Sequence, residues 1–253
     1  MSRFFVELSY AGTAYHGWQR QITAISVQEI VEDGLAKVLR TGRITVMGCG
    51  RTDTGVHASS YFMHLDLPEE TDIEQLRYKW NHFLPSDISL HRFIAVHDKA
   101  HARYDATARE YRYHIHREKD SFKLPYSFYL WRDLDLEAMQ KAAALLIGTK
   151  DFNAFARSHG SQKTSICDVR TAHWTTDGPY WQFTIEADRF LRNMVRAVVG
   201  TLLQVGMGKL TIEGFQKVID NKDRRQAGSS APANGLFLSR IDYPYIQEQW
   251  RQV

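Results

Sequence analysis

The spacing of apolar and polar residues predicts a chain of alternating strands and helices. Residues 3–10 alternate between apolar and polar side chains, which is the pattern of a half-buried strand. Residues 27–38 carry apolar side chains three and four positions apart, which indicates an amphipathic helix, and Ser26 with Glu29 forms a capping box at its start. The same patterns then predict strands at 44–47, 61–67 and 88–96 and a helix that begins after Thr71.

The second part of the chain shows a similar order of elements. A strand with strong alternation covers 108–116, and Asp135 is predicted to cap a helix that runs through Ile147. The other predicted elements are strands at 166–175, 180–187 and 236–241, a helix at 190–205 and a shorter helix after Thr211. The order in the first part is strand, helix, strand, strand, helix, strand, which is the ferredoxin-like pattern. We therefore predict an α+β protein with two ferredoxin-like halves, residues 1–105 and 106–253.

Composition narrows the class of protein only slightly. The two cysteines, Cys49 and Cys167, are too few for a disulfide framework and have no metal-like spacing. No apolar run approaches the length of a membrane span, so a soluble, cytoplasmic protein without a membrane partner is expected. The formal charge of +3 is mildly basic. Arginines and lysines cluster near 109–119, 189–196 and 222–225 among aromatic residues, a pattern that suits RNA but is also typical of solvated helix faces.

The stretch from Gly48 to Ala58 is the strongest candidate for chemistry. Three glycines and two threonines surround Arg51 and Asp53 in this stretch, between two predicted strands. Glycines permit backbone angles that other residues resist, and loops held by strands often carry functional side chains. A carboxylate in such a loop also commonly does no more than hydrogen-bond its own backbone, so the loop alone does not decide the matter.

Other motifs supply partners for this carboxylate. Strand alternation places Arg109, Tyr111 and Tyr113 on one face of the strand at 108–116. Arg196 lies beside the apolar stripe of the helix predicted at 190–205, where an arginine is more often a surface residue than a catalytic one. The sequence has no phosphate-binding glycine motif and no cluster of metal-ligand residues, so we expect neither a cofactor nor a metal.

These motifs together resemble those of the TruA-type tRNA pseudouridine synthases. The signature is Gly50-Arg51-Thr52-Asp53-Thr54-Gly55-Val56-His57-Ala58, and the supporting motifs are at 10–19, 101–113, 151–155, 190–196 and 235–238. The matches run in family order over nearly the whole chain. The chain departs from the family pattern at Thr164 to Asp168, where the family usually has a proline and an arginine, so an RNA contact from that segment is in doubt.

The resemblance implies a fold, a substrate and roles for individual residues. The fold would be the pseudouridine synthase fold, with RRM-like halves that share a mixed, mostly antiparallel sheet with helices on one face. The reaction would be isomerisation of uridines 38, 39 and 40 in the anticodon arm of tRNA by a homodimer. Asp53 would be the nucleophile, Tyr111 would stack on the target base and accept its C5 proton, and Arg196 would pair with Asp53. Arg51 would occupy the gap that the flipped nucleotide leaves, and Arg109 and His57 are further expected substrate contacts.

Two other functions remain open on the sequence. A non-catalytic RNA-binding protein with paired RRM-like modules is the main alternative, although the aromatic-rich RNP1 motif is missing and such a protein has no need of Asp53. A hydrolase that uses Asp53 with His57 is a weaker alternative, because the sequence offers neither a second paired acid nor an oriented nucleophile.

Overall fold

The computed structural model describes residues 1–157 and 164–246, and it is of the mixed α+β class that the sequence predicts. The described chain forms two compact units. The first contains Met1–Thr107 and the chain from Leu238 onward, and the second contains Ala108–Phe237. The predicted division at residues 105 and 106 lies close to the first change of unit, whereas the last strand, which we assigned to the second half, belongs mainly to the first unit. Compact units are not by themselves independent domains, so the domain boundaries stay a prediction.

The first unit is built from five strands and two helices among the described residues. They are β1 (Ser2–Tyr10), α1 (Val27–Leu39), β2 (Met47–Gly48), β3 (His57–Leu67), α2 (Ile73–Phe83), β4 (Ile88–Val96) and, returning at the end of the chain, β10 (Leu236–Asp242). The strand order is β4-β1-β3-β10, with the short β2 paired to β3. β1 runs antiparallel to both β3 and β4, and its buried side chains form part of the core of this unit.

The second unit contains the other strands and helices. They are β5 (Ala108–His116), β6 (Phe128–Tyr129), α3 (Leu136–Ala144), β7 (Gly148–Asp151), β8 (Ile166–Asp177), β9 (Tyr180–Ala187), α4 (Met194–Gly206) and α5 (Ile212–Asn221). The strand order is β5-β9-β8-β7, all antiparallel, and β6 pairs in parallel with the end of β5. The departure from the family pattern falls at the start of β8, while the neighbouring Lys163 lies outside the described residues. The sequence did not predict β6 or β7.

The strand predicted at 44–47 is wrong for most of its length. Only Met47 and Gly48 pair with β3, while the backbone of Val46 bonds to side chains of α1. Gln28 Nε2 donates to Val46 O (3.0 Å), and Val46 N donates to Glu32 Oε1 (3.2 Å). The side chains of α1 thus take the place of a neighbouring strand, a substitution that the apolar pattern of 44–47 does not reveal.

Helix α4 begins four residues later than predicted. Asn193, immediately before it, has a φ of 65° in the left-handed region, which interrupts a right-handed helix. Residues 190–193 therefore lead into α4 rather than forming its first turn. Arg196 consequently lies in the first turn of the helix, where its position is set by the segment that precedes it.

Candidate active site

The Asp53 loop, residues 49–56, connects β2 to β3 as the sequence predicts. Asp53 is half-buried and Arg51 is exposed, while Thr52 between them is buried. The loop closes through a hydrogen bond from Val56 N to Asp53 O (3.1 Å). This turn fixes the backbone at Asp53, while the residue itself is only partly covered.

A second loop, residues 11–18, packs against the Asp53 loop at two glycines. A Cβ at Gly12 would lie 2.0 Å from Val56 O, and a Cβ at Gly17 would lie 2.2 Å from Thr52 O. Gly17 also has a φ of 81°, a conformation that side chains rarely adopt. Gly55 N donates to Tyr15 O (3.2 Å), so the two loops are joined by a hydrogen bond as well as by close packing. The glycines of the 10–19 motif therefore serve the position of Asp53.

His57 is fully buried at the start of β3, and its Nδ1 accepts a hydrogen bond from Gly12 N (3.0 Å). Because Nδ1 accepts, it carries no proton, and the imidazole ties β3 to the supporting loop. A side chain without exposed surface does not present itself to a substrate. His57 therefore makes a supporting contact beside the Asp53 loop, and its substrate contact stays a prediction.

Tyr111 lies on β5 in the second unit, opposite Ile185 of β9. Its side chain is half-buried, and its ring packs edge-to-face against Phe190 with centroids 5.1 Å apart. Such aromatic pairs fix ring orientation at a gain of about 0.5–1.5 kcal/mol beyond burial. Phe190 carries no predicted role, although its position in the 190–196 motif is a signal that could identify it.

Tyr113, two residues further on the same strand, differs from Tyr111. It is fully buried, and its hydroxyl donates to Pro232 O (2.9 Å). Burial raises the pKa of Tyr113 above its usual value, so the hydroxyl stays protonated and acts as a structural donor. Of the two tyrosines, only Tyr111 retains exposed surface.

Arg109 precedes Tyr111 on β5, and its Nη1 donates to Asp188 O (2.8 Å). This bond holds the start of the segment between β9 and α4, the segment that carries Phe190. Arg109 and Tyr111 therefore both contact residues 188–190, one through the backbone and the other through an aromatic ring. A substrate contact of Arg109 stays a prediction beside this supporting bond.

Arg196, in the first turn of α4, is anchored to Ala231. Its Nε donates to Ala231 O (2.7 Å), while its own carbonyl accepts from Ala231 N (2.9 Å). Asn193 Nδ2 donates to Ser230 Oγ (2.7 Å), so the segment before α4 is fixed to the same stretch of chain. Arg196 as a residue is half-buried, and its side chain is held through Nε, which limits its freedom.

Comparison with known proteins identifies the family. A family model described as tRNA pseudouridine synthase matches residues 142–244. The chain is 49% identical to tRNA pseudouridine synthase A of Bacteroides thetaiotaomicron over 247 residues, which are 96% of this chain and 91% of that protein. The chain belongs to the tRNA pseudouridine synthase A family. The protein of this name from Bacteroides fragilis is 47% identical over 246 residues (96% of this chain, 97% of that protein), and that of Bacillus licheniformis is 39% identical over 243 residues (93% and 97%).

Membership of the tRNA pseudouridine synthase A family confirms the resemblance found in the motifs. The family model covers most of the second unit and part of the first, whereas the relatives extend over nearly the whole chain. The Asp53 loop thus lies within the length that the relatives match. The family assignment therefore does not depend on the second unit alone.

The described residues add two observations on metals and membranes. Residues 1–157 and 164–246 contain no group of three or more histidines, cysteines and acidic residues that could hold a metal ion. Within the same ranges, no helix has the length and apolar character to cross a membrane. Cys49 and Cys167 are both buried and are not joined in a disulfide. Burial raises the pKa of Cys167 to about 12, which keeps its thiol protonated.

Proposed function

We propose that this protein isomerises uridine to pseudouridine in tRNA. The observation that carries the proposal is the similarity over almost the entire chain to proteins named tRNA pseudouridine synthase A. In this reaction the N1–C1′ bond breaks, the base turns, and a bond forms between C5 and C1′. The proton of C5 leaves and N1 gains one, so atoms and charge balance without an oxidant or a transferred group. The predicted absence of a cofactor is consistent with this chemistry and stays a prediction.

Asp53 is the proposed nucleophile. An ionised carboxylate can attack the nucleoside or stabilise the ion pair formed when the base departs, so it serves the reaction by either route. Its half-buried position in a loop held by Gly12 and Gly17 supports this role, because a reacting group has to be placed to a fraction of an ångström. Arg196 is the proposed cation that stabilises the carboxylate, and its anchored Nε reduces the entropy lost in doing so.

Tyr111 is the proposed contact for the flipped base. Packing against Phe190 fixes the orientation of the Tyr111 ring, and stacking of such a ring on a base contributes about 1–3 kcal/mol per base. Its hydroxyl is the proposed acceptor of the C5 proton. The exposed Arg51 is proposed to fill the gap left by the flipped nucleotide, since extrusion of a paired base costs a few kcal/mol.

Arg109 and His57 remain proposed substrate contacts, and each also has a supporting contact within its own unit. Arg109 holds the segment that carries Phe190, and His57 holds the loop that flanks Asp53. By resemblance, the substrate region is the anticodon stem-loop at positions 38, 39 and 40. The same resemblance suggests two ferredoxin-like halves that share a sheet, a homodimer and a cytoplasmic location, all of which stay predictions.

The test is conversion of unmodified tRNA by the purified protein, with pseudouridine mapped along the RNA. The parent should convert uridines of the anticodon arm, whereas Asp53→Asn should bind the same tRNA and convert it about a thousandfold more slowly or not at all. Asp133→Asn is the matched control, because Asp133 is a fully exposed carboxylate. An inactive parent would contradict the proposed function. A parent-like rate in Asp53→Asn, within about tenfold, would remove only the nucleophile assignment.

A further inference from the structure

Two buried tyrosine hydroxyls bond to the Asp53 loop at residues 50 and 52. Tyr61 Oη donates to Gly50 O (2.6 Å), and Tyr10 Oη shares a hydrogen bond with Thr52 Oγ1 (2.9 Å). Both tyrosines are almost without exposed surface, at 0% and 4%. The two bonded loop residues, Gly50 and Thr52, directly flank Arg51, and Thr52 also precedes Asp53.

The two tyrosines are themselves fixed by aromatic packing. Trp18 stacks on Tyr61 with ring centroids 4.1 Å apart, and Tyr10 packs against both rings at 5.6 and 6.2 Å. The space around this group is tight, because a Cβ at Gly48 would lie 2.2 Å from Tyr61 Oη and 2.4 Å from Trp18 Nε1. Because this packing prevents the rings of Tyr61 and Tyr10 from turning, their hydroxyls are fixed hydrogen-bond partners for the Asp53 loop.

Burial also keeps the hydroxyl of Tyr61 in its donor form. The pKa of Tyr61 is raised well above its usual value, chiefly by burial, so the proton stays on the oxygen at any ordinary pH. A short hydrogen bond from a neutral hydroxyl to a carbonyl oxygen is directional, so the bond from Tyr61 restricts the orientation of the Gly50 carbonyl.

We propose that Tyr61 and Tyr10 are positioning residues that set the placement of Arg51 and Asp53 for the pseudouridine reaction. Tyr61 acts through the carbonyl group of Gly50, and Tyr10 acts through the side chain of Thr52, the residues on each side of Arg51. The proposal rests on the proposed function, because the placement of Asp53 matters only if Asp53 takes part in the reaction. Loss of either hydroxyl releases one fixed point of the loop while leaving the aromatic packing in place.

The chain offers a closely matched control in Tyr243. Its hydroxyl also donates to a backbone carbonyl, that of Ala102, at 2.6 Å, and the residue is 4% exposed in the same unit. Tyr61→Phe and Tyr243→Phe therefore delete the same chemical group from similar surroundings. Only Tyr61→Phe deletes it beneath the Asp53 loop.

The experiment measures kcat, KM for tRNA and the melting temperature for the parent, Tyr61→Phe, Tyr10→Phe and Tyr243→Phe. We expect all three variants to melt a few degrees below the parent. Tyr61→Phe and Tyr10→Phe should also lose about ten- to a hundredfold in kcat with little change in KM, since a misplacement of about 1 Å can cost a hundredfold. Tyr243→Phe should keep the parent kcat.

The result that overturns the proposal is equal kcat for Tyr61→Phe, Tyr10→Phe and Tyr243→Phe. A loss confined to KM would also overturn it, because that result would describe tRNA binding instead of placement of the reacting groups. Failure of the proposed function is distinguishable from both results, since it would leave the parent itself without activity on tRNA.

Discussion

Replacement of Gly17 by alanine should damage both stability and catalysis. The added Cβ would lie 2.2 Å from Thr52 O and 3.3 Å from the carbonyl carbon of Asp53, where an ordinary contact begins near 3.4 Å. Relief of the clash requires the Asp53 loop to move by about 1 Å, a displacement that can cost on the order of a hundredfold in rate. Gly17 O also accepts from Val27 N (3.1 Å), so the loop that carries it cannot shift freely away.

The cost in stability follows from two local effects. Alanine at a φ of 81° costs about 1–2 kcal/mol. Overpacking against backbone adds roughly 1–3 kcal/mol. We therefore expect Gly17→Ala to lower the free energy of unfolding by about 2–5 kcal/mol.

The assays are urea denaturation and single-turnover conversion of tRNA, and Gly42→Ala is the control. Gly42 has no neighbouring atom within 4 Å of an added Cβ and does not have a positive φ. Its replacement should leave stability unchanged or raise it by about 0.4–1 kcal/mol. If Gly17→Ala matched Gly42→Ala in unfolding free energy and rate, the contact between the two loops would not support Asp53.

Two other predictions concern Tyr111 and His64. Tyr111→Phe should bind tRNA like the parent, because the ring remains. It should release tritium from C5-labelled uridine very slowly, because the proposed proton acceptor is gone. Release at nearly the parent rate would leave Tyr111 as a stacking residue only. Burial lowers the pKa of His64 to about 4, and its Nδ1 accepts from Ala102 N (3.0 Å). Below about pH 6.5 the imidazole of His64 therefore takes up a proton in the unfolded chain but not in the folded chain. Because this protonation stabilises the unfolded state, the contribution of His64 to the free energy of unfolding should fall by about 2 kcal/mol between pH 7 and pH 5. The measurement is urea unfolding of the parent and of His64→Gln at pH 7 and at pH 5. The difference in unfolding free energy between the two proteins should be smaller at pH 5, and an equal difference at both pH values would refute this reasoning.

Local patterns predicted most elements of the fold because helices and strands depend on spacing that is visible in the sequence. Ser26 and Asp135 are N-caps as expected, and each accepts from a backbone N–H three residues later. The cap predicted at Thr71 is instead Asp72, one residue further on. Errors of this size are usual at helix ends, where neighbouring residues compete for the same backbone donor.

A larger error occurs where distant residues decide the local structure. The segment at 44–46 has the composition of a strand, but Gln28 and Glu32 of α1 take up the hydrogen bonds of Val46. The complete burial of His57, whose Nδ1 accepts from Gly12 N, is likewise not visible in the sequence, and its substrate contact stays a prediction. Both results depend on contacts between segments far apart in the chain, which periodicity does not encode.

The motifs of the candidate site are recognisable in the sequence, but the role of each residue in them is not. The 10–19 motif has two close-packed glycines beneath the Asp53 loop, and the 190–196 motif supplies Phe190 against Tyr111. The sequence shows which residues occur together and leaves open which of them react and which of them hold others in place. Hydrogen-bond partners and burial show which residues support the loops, while the reacting residues stay proposals.

The attachment of Val46 to α1 also bears on aggregation and on sequence change. An extended segment with free backbone groups can recruit a strand from another molecule, but here two helix side chains occupy the N–H and C=O of Val46. Glu32 has no exposed surface and is balanced by Arg20 and Arg43, at 3.3 and 3.2 Å. A substitution at Glu32 alone would leave two arginines without this partner and Val46 N without its acceptor. A single substitution at Glu32 is therefore expected to be destabilising, and the segment is protected from foreign strands only as long as α1 is folded.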